Sequence, residues 1–534
     1  LTAYARSEEL RAELGVWLSE AGATPLPVDW TVQEKGGANT ASALRTVSVS
    51  LDEATTRALL QEVPATYRTE INDVLLSALG RALGQWTGQG AILVDLEGHG
   101  REEIFADAHL SRTVGWFTSM YPVLLDRGEG GPGSALKRTK EALRRIPHRG
   151  LGYGLLRYLS GDAGIEERLR ALPAAEVGFN YLGQLDQALS ESSPFRPGRE
   201  SAGLSVSPLT PRAHLLDVNA SVSGGSLRMG WSYSGRVHRR ETIERLAESY
   251  LDALREIVEH CQSPDAGGYT PSDFPLAQLD QERLDQLADQ HRGIEDLYPL
   301  TPLQEGMLFH ALYAPEGGAY ITQLASELVG DLDPEAFRQA WQTVMDRHAV
   351  LRTSYAWDQL ERPLQVVHRS VAVPLEVQDW SSLSEAEQQR RFEDYLTEDR
   401  RRGFDMARAP LTRLALLRTG ALVHSCVWTS HHSLFDGWCL ALLFKEVLSY
   451  YEAFREGRRL SLPRPRPYRD YIEWLERQDQ ARAEQFWRRT LAGFSEPTRV
   501  SFGALAREAF GDEILPLSAE LSLDLQSVAR RLRL

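Results

Sequence analysis

Residues 422–454, "LVHSCVWTSHHSLFDGWCLALLFKEVLSYYEAF", change hydrophobic period in mid-course. Up to His432 the pattern repeats every two residues. Leu422, His424, Cys426, Trp428, Ser430 and His432 share one strand face and His431 lies on the other. After Gly437 the apolar residues recur at helical spacing. A strand that turns sharply into an apolar helix demands a sheet with a helix packed on it. The two imidazoles point to opposite faces, so they cannot share one job, nor hold one metal ion without a bend. Asp436 falls at the start of the helix, where a carboxylate caps free amides or holds an arginine. Gly437 has no side chain, so another group can approach the backbone there. On the spacing alone, a core histidine beside an N-capping Asp436 is the simpler reading of His432.

A chain of 534 residues exceeds one ordinary core, so two or more domains or lobes are expected. Its 42% hydrophobic and 25% charged residues are those of a soluble globular protein. The net charge of −15 excludes a phosphate-tracking basic face, hence a nucleic-acid partner. Cys261, Cys426 and Cys439 show neither metal spacing nor a disulfide framework, which fits a reducing cytoplasm. No apolar run is long enough to span a membrane. The opening "LTAYARSEEL" is neither a signal peptide nor an initiator methionine, so a piece of a longer chain is expected. Lysine occurs only at 35, 137, 140 and 445, the codon bias of a GC-rich bacterial genome.

Residues 1–27 read as an amphipathic helix and its exit, 45–51 as a strand, 53–62 and 71–87 as helices, and 91–98 as a strand. A Gly- and Pro-rich stretch follows, and a helix over 240–261 closes the first half. Residues 262–293 turn polar and read as a linker with one short helix. The second half mixes helices with strands without regular βα alternation, which predicts an α/β sandwich with one open sheet over 294–515 and not a doubly wound fold. A weak repeat at an offset of 470 aligns Trp17 with Trp487 and "VSVSL" (47–51) with "LSAEL" (517–521).

Three motifs then narrow the field. "YPLTPLQEGMLFH" (298–310), "RHAVLRTSY" (347–355) and "HHSLFDGW" (431–438), with "PYRDYIEWLERQD" beyond them, resemble in order and context the condensation domains of nonribosomal peptide synthetases. The resemblance covers 294–534 and implies lobes like those of chloramphenicol acetyltransferase and other CoA-dependent acyltransferases. It makes His432 the active-site histidine, His431 a brace, and Asp436 structural and paired with Arg352. It implies amide-bond formation between substrates carried on phosphopantetheine arms, with Gly437 leaving room for the arm. Carrier and adenylation domains are the implied partners. No directly bound cofactor and no metal are expected.

In the first half, "DVLLSALG" (73–80), "EGHGRE" (97–102), "RTVGWFTSMYP" (112–122) and "VGFNYLGQ" (177–184) resemble the epimerization domains of the same synthetases. Inverting Cα needs acid–base groups on both faces of the substrate. The resemblance makes Glu97 one of them and places Asn180 and Tyr181 near the reacting centre; His99 matches the motif without an assigned role. The opposing histidine belongs to an HHxxxDG motif, and this sequence has one such motif, at 431–437. "SGGSLRMG" (223–230) lacks the leucine–glycine context of a carrier serine. The expected arrangement is the C-terminal lobe of an epimerization domain over 1–265 (1–44 being the tail of its N-terminal lobe), a linker over 266–293, and the N-terminal lobe of a condensation domain, with the start of its second lobe, over 294–534. Both sites are then incomplete. Two other readings share HxxxD: a CoA-dependent acyltransferase, which leaves "EGHGRE" and "FNYLG" unexplained, and an inert scaffold that only docks carriers.

Overall fold

The computed structural model describes residues 1–18, 25–30, 39–105, 109–128, 130–184, 203, 206–314, 318–496 and 516–532. The chain divides into a large compact unit, Leu1–Glu473, and a small one, Trp474–Leu534. The fold class is α/β, with mixed sheets and packed helices, as expected.

The first half is built on strands β1 (Leu44–Ser50), β2 (Ala91–Gly98), β3 (Ser119–Asp126), β4 (Val177–Gln184), β5 (Leu216–Ser223) and β6 (Ser226–Ser234). They form one sheet in the order β1-β6-β5-β4-β2-β3. Its centre, β2-β4-β5, is parallel and the outer pairs are antiparallel. Alternation sends Val94, Leu96, Val177, Phe179, Val218 and Ala220 into the core with residues of α1 (Ile71–Thr87), α2 (Pro132–Arg144), α3 (Leu151–Leu159) and α4 (Arg240–Cys261). Asp95, Glu97 and Asn180 therefore occupy the opposite face. The Gly224–Gly225 pair, with φ of +62° and +71°, is the tight turn between β5 and β6. Glycine is needed there because both residues are left-handed. In place of one N-terminal helix there are two short ones, Glu8–Ala12 and Leu14–Leu18, which deliver Leu10 and Trp17 to the core. The remainder of that expected helix includes residues outside those described.

The polar segment 266–293 has its short helix, α5 (Gln281–Gln290), but it is not a tether. Phe274, Ala277, Leu284 and Leu287 bury themselves against Ile294, Leu297, Ala356, Leu364 and Val366. The first half grips it from the other side. Lys140 Nζ meets Asp273 Oδ1 at 2.7 Å and the Tyr67 carbonyl at 2.9 Å, and Lys137 meets Asp285 at 2.8 Å. Arg68 donates to the carbonyls of Ile294 and Glu295 while lying 4.9 Å over the Tyr269 ring.

Among the described residues the second half has two sheets, not the single one expected. Strands β7 (Ile294–Pro299), β9 (Thr353–Ala356) and β10 (Leu364–His368) pair in the order β7-β10-β9. Strands β8 (Ile321–Val329), β11 (Leu375–Asp379), β12 (Thr412–Arg418) and β13 (Val423–His431) pair in the order β11-β12-β13-β8. The split falls where the β10 register slips at His368 and the chain leaves to begin β11 beside β12. Helix α6 (Pro302–Tyr313) follows β7. Helices α7 (Pro334–Arg347) and α9 (Gly437–Arg455) cover one face of the four-stranded sheet, where Phe444 meets Trp341 and Trp428 edge to face and the two indoles are tilted against each other. Helix α8 (Glu385–Arg402) covers the other, through Phe392, Tyr395 and Leu396 over Ala415, Leu417 and Val427.

Of the aligned tryptophans, both are helical, but Trp17 is buried and Trp487 is 57% exposed. The second repeat anchor is not matched. "VSVSL" is strand, whereas "LSAEL" enters the helix Ala519–Leu532, because Ser518 accepts the Leu521 amide at 3.2 Å and starts a helix there. Among the described residues no helix is long and apolar enough to cross a membrane.

Candidate functional site

Strand β13 ends at His431, so His432 already belongs to the turn and the alternation does not reach it. His431 is 1% exposed and His432 is exposed. His432 donates its backbone N–H to the Tyr320 carbonyl at 2.8 Å, which ties the turn to the start of β8. His431 Nδ1 accepts from Ser433 Oγ at 2.7 Å and from the Ser433 amide at 3.3 Å, which leaves the ring proton on Nε2. Nε2 has no hydrogen-bond partner among the described residues. Burial, with a contribution from His432, pushes the His431 imidazole down to about 4. His431 is therefore buried, neutral and bonded to Ser433.

The turn is held from below by a buried polar network. The Ser433 carbonyl accepts from Gln304 Nε2 at 2.9 Å and from the Tyr355 hydroxyl at 3.2 Å. Gln304 is itself fixed by Gln365 and by its place at the third residue of α6, where it closes a capping box with Thr301. Gln304, Gln365, Tyr355 and Ser433 are all buried. The sequence reading did not single them out, although Gln304 and Tyr355 stand inside the quoted motifs.

Asp436 does not pair with Arg352. Its Oδ1 accepts the amides of Trp438 at 3.1 Å and Cys439 at 3.2 Å and the Cys439 thiol at 3.3 Å, and so caps α9. The Cys439 thiol and these amides hold the carboxyl below its ordinary range. Arg352 is buried beneath β7 and β10. Its guanidinium meets Glu295 Oε2 at 2.6 Å and the carbonyls of His368 and Met345. With those donors taken up locally, a helix-capping carboxylate elsewhere has nothing to pair with. The motif is nonetheless tied to α9 by another carboxylate: Glu446 accepts from Arg347 at 3.1 Å and lies 3.0 Å from His348 Nε2. Gly437 is exposed with an ordinary φ, and nothing lies within 4 Å of where its Cβ would be. Trp438 and Leu442 on α9, and Leu303, Phe309 and Tyr313 on α6, stand largely exposed.

In the first half, Glu97 stands at the end of β2, exposed, and its Oε2 accepts from Asn180 Nδ2 at 2.7 Å across to β4. Tyr181 follows, half-buried, and burial raises its phenol. His99 lies in the exposed loop beyond. Its Nδ1 accepts from the Arg101 amide and its Nε2 is 3.4 Å from Glu102. Gly100 in the same loop, with φ of +63°, is indispensable, because a Cβ would fall 1.6 Å from the Phe117 carbonyl oxygen. Glu97 and Asn180 are thus brought together, while Tyr181, next along β4, turns to the core side of the sheet; His431, His432, Asp436 and Gly437 lie on a different sheet. Among the described residues no cluster of three or more His, Cys, Asp or Glu is arranged to hold a metal ion.

The Condensation domain family model matches the chain twice, over residues 2–279 and 294–503. One polypeptide of the linear gramicidin synthase of Brevibacillus parabrevis is 48% identical over 505 residues, covering 94% of this chain and 6% of that protein. A second polypeptide of the same synthase is 45% identical over 537 residues, covering 99% of this chain and 10% of that protein. The chain therefore spans a small part of the relatives it matches. Among solved structures, the epimerization domain from the third module of tyrocidine synthetase B is 37% identical, with a TM-score of 0.44, over 49% of this chain and 57% of that one. Two matches to one family model, spanning nearly the whole chain, establish that this protein belongs to the condensation-domain family.

Proposed function

We propose that the chain is a module junction of a nonribosomal peptide synthetase. Residues 1–265 are the C-terminal lobe of an epimerization domain, 266–293 the linker, and 294–534 the N-terminal lobe of a condensation domain with the start of its second lobe. The condensation site joins the amine of an aminoacyl acceptor to the carbonyl of a peptidyl donor, both carried on phosphopantetheine arms in the cytoplasm. Carrier and adenylation domains of the same synthetase are its partners. The observation that carries this reading is His432 itself, an exposed imidazole on a turn fixed at Tyr320 and Ser433.

The attacking amine must be neutral, and an imidazole beside it accepts its proton or holds it by a hydrogen bond. Open space at Gly437 fits an arm passing along the start of α9. In the first half, Glu97 exchanges the Cα proton on one face of the substrate while Asn180 holds its carboxylate. The single HHxxxDG motif, which lies in the second half, supports the reading that the epimerization site lacks its opposing histidine in this chain. An epimerization lobe upstream, with the motif form "YPLTPLQEGMLFH", supports a condensation site that takes a D-configured donor and an L acceptor. Inversion exchanges hydrogen and side chain at Cα and drives one of them into the channel wall.

In the intact synthetase, with donor carriers loaded separately with D- and L-terminated peptides, mass spectrometry of the carrier-bound product should show condensation strongly favouring the D epimer. His432→Ala should lower product formation roughly a hundredfold or more while carrier loading is unchanged. Undiminished condensation by His432→Ala overturns the assignment. Equal rates for both epimers overturn the donor preference alone.

A further inference from the structure

The sheet face that carries Glu97 has a second polar row behind it. Strand pairing sets Asp95, Gly178, Asp217 and Ser232 side by side across β2, β4, β5 and β6. His214 enters from the loop before β5 and lies over Gly178. Its Nε2 is 3.0 Å from Asp95 Oδ2 and its Nδ1 2.8 Å from Asp217 Oδ1. Glycine is needed beneath it, because a Cβ at 178 would come 2.6 Å from His214 Nδ1. His214 is 5% exposed. With a carboxylate on each nitrogen, both must carry hydrogen and the ring is an imidazolium. Arg212 supplies a second cation, 2.5 Å from Asp217 Oδ2 and donating to the Ser232 carbonyl. Two carboxylates and two cations therefore cancel.

This row sits where the sheet needs it. The pairing of β2 with β4 stops at Leu96 and Phe179, one residue short of Glu97 and Asn180. The β4–β5 register slips just beyond, after Tyr181. Ladder bonds therefore do not set the spacing at the Glu97–Asn180 pair. The His214 clamp, one row back, bridges the strands on either side of β4. A cavity of about 440 Å3 is lined by Asp95, Glu97, Asn180, Arg212, His214 and Asn219, so both rows open onto the same space. From α3, Tyr153 and Arg157 face a neighbouring cavity that His214 and Asp95 also line, and Arg157 is bonded to the Tyr153 hydroxyl at 2.6 Å.

We propose that His214, clamped between Asp95 and Asp217, is a positioning residue for the Glu97–Asn180 pair: it fixes the spacing of β2, β4 and β5 and cancels the carboxylate charge behind Glu97. This rests on the role proposed above for Glu97.

The test is deuterium wash-in at Cα of the carrier-bound residue in the intact synthetase, followed against pH. His214→Gln should lower turnover at saturating loaded carrier roughly tenfold to a hundredfold, with KM changed by less than about twofold. It should also move the acid limb of the profile to higher pH, since an uncancelled carboxylate now sits behind Glu97. The charge-balanced variant Asp95→Asn/His214→Gln keeps hydrogen-bonding side chains at both ends and should bring the limb back, with turnover within about threefold of the parent. Gly178→Ala, which displaces the ring, should reproduce the loss. Parental turnover and profile in His214→Gln overturn the proposal, as does a loss that the double variant leaves unrelieved with the limb unmoved. If His214→Gln does not fold, the other two variants decide: an active double variant with an impaired Gly178→Ala supports it, and the reverse overturns it. Glu97→Gln separates the two ideas, because exchange surviving that substitution defeats the assignment of Glu97, whatever His214 does.

Discussion

His431 and His214 are both buried imidazoles with opposite electrostatics, and their opposition is measurable. Burial drives His431 down to about 4 from an ordinary 6.5, so below 6.5 the unfolded chain takes up a proton that the folded chain refuses. Its share of stability is present above 6.5 and is lost as pH falls from there towards 4. For His214, burial pushes the same way, but the bonds to Asp217 and Asp95 overcome it and raise the ring to about 9. The folded state then holds a proton that the unfolded state releases above 6.5. That share is present below 6.5 and is lost as pH rises from there through 9. Each is worth on the order of 3 kcal/mol at full extent. Denaturant unfolding followed across pH should show His431→Asn flattening the acid side and His214→Gln the alkaline side. Parallel shifts at all pH values would refute both assignments. The period-two run up to His431 was legible in the residues, but His432 lies beyond the strand, and the turn, not the alternation, sets its place. The Arg352 partner was not, because Glu295 lies 57 residues away and any of many carboxylates could have reached that guanidinium.

At the scale of elements, the joint between β13 and α9 is built from separable parts. Asp436→Ala removes an N-cap and should cost about 1 kcal/mol of unfolding free energy, little more. Because Asp436 and Arg352 do not touch, the Asp436→Ala/Arg352→Met double-mutant cycle should be additive within about 0.5 kcal/mol. The Glu295→Ala/Arg352→Met cycle should not be. A coupling that appeared only in the first cycle would restore the ion pair that the structure lacks. Period two and period 3.6 revealed β13 and α9 because burying one face of a strand or helix writes its repeat into the sequence. The support under the turn has no such signature: Gln304 and Tyr355 bind a main-chain carbonyl, which every residue has. The ordered segment 266–293 escaped for a related reason. Its few apolar side chains, Phe274, Leu284 and Leu287, find their cover on β7 and β10, and only the assembled sheet shows it.

For the molecule as a whole, the two halves are gripped through that segment and not merely strung together. Lys140 and Asp273 are 2% and 7% exposed, and removing either leaves the other charge buried and unpaired, a loss of roughly 3–5 kcal/mol. Asp273 also accepts the Thr270 amide at 2.8 Å. Asp273→Ala should therefore open residues 262–293 to limited proteolysis that the parent chain resists. Equal cleavage in both would mean that the grip contributes nothing. Phe274, Ala277, Leu284 and Leu287 are core residues of the sheet that follows them. A recombination point set at Gly293 would thus strip Ile294, Leu297, Leu364 and Val366 of their cover and leave a chimera with an open seam. Set ahead of Tyr269, it would carry the cover along with its sheet, and a foreign upstream half would need to supply only basic residues opposite Asp273 and Asp285 and a donor for the Ile294 and Glu295 carbonyls.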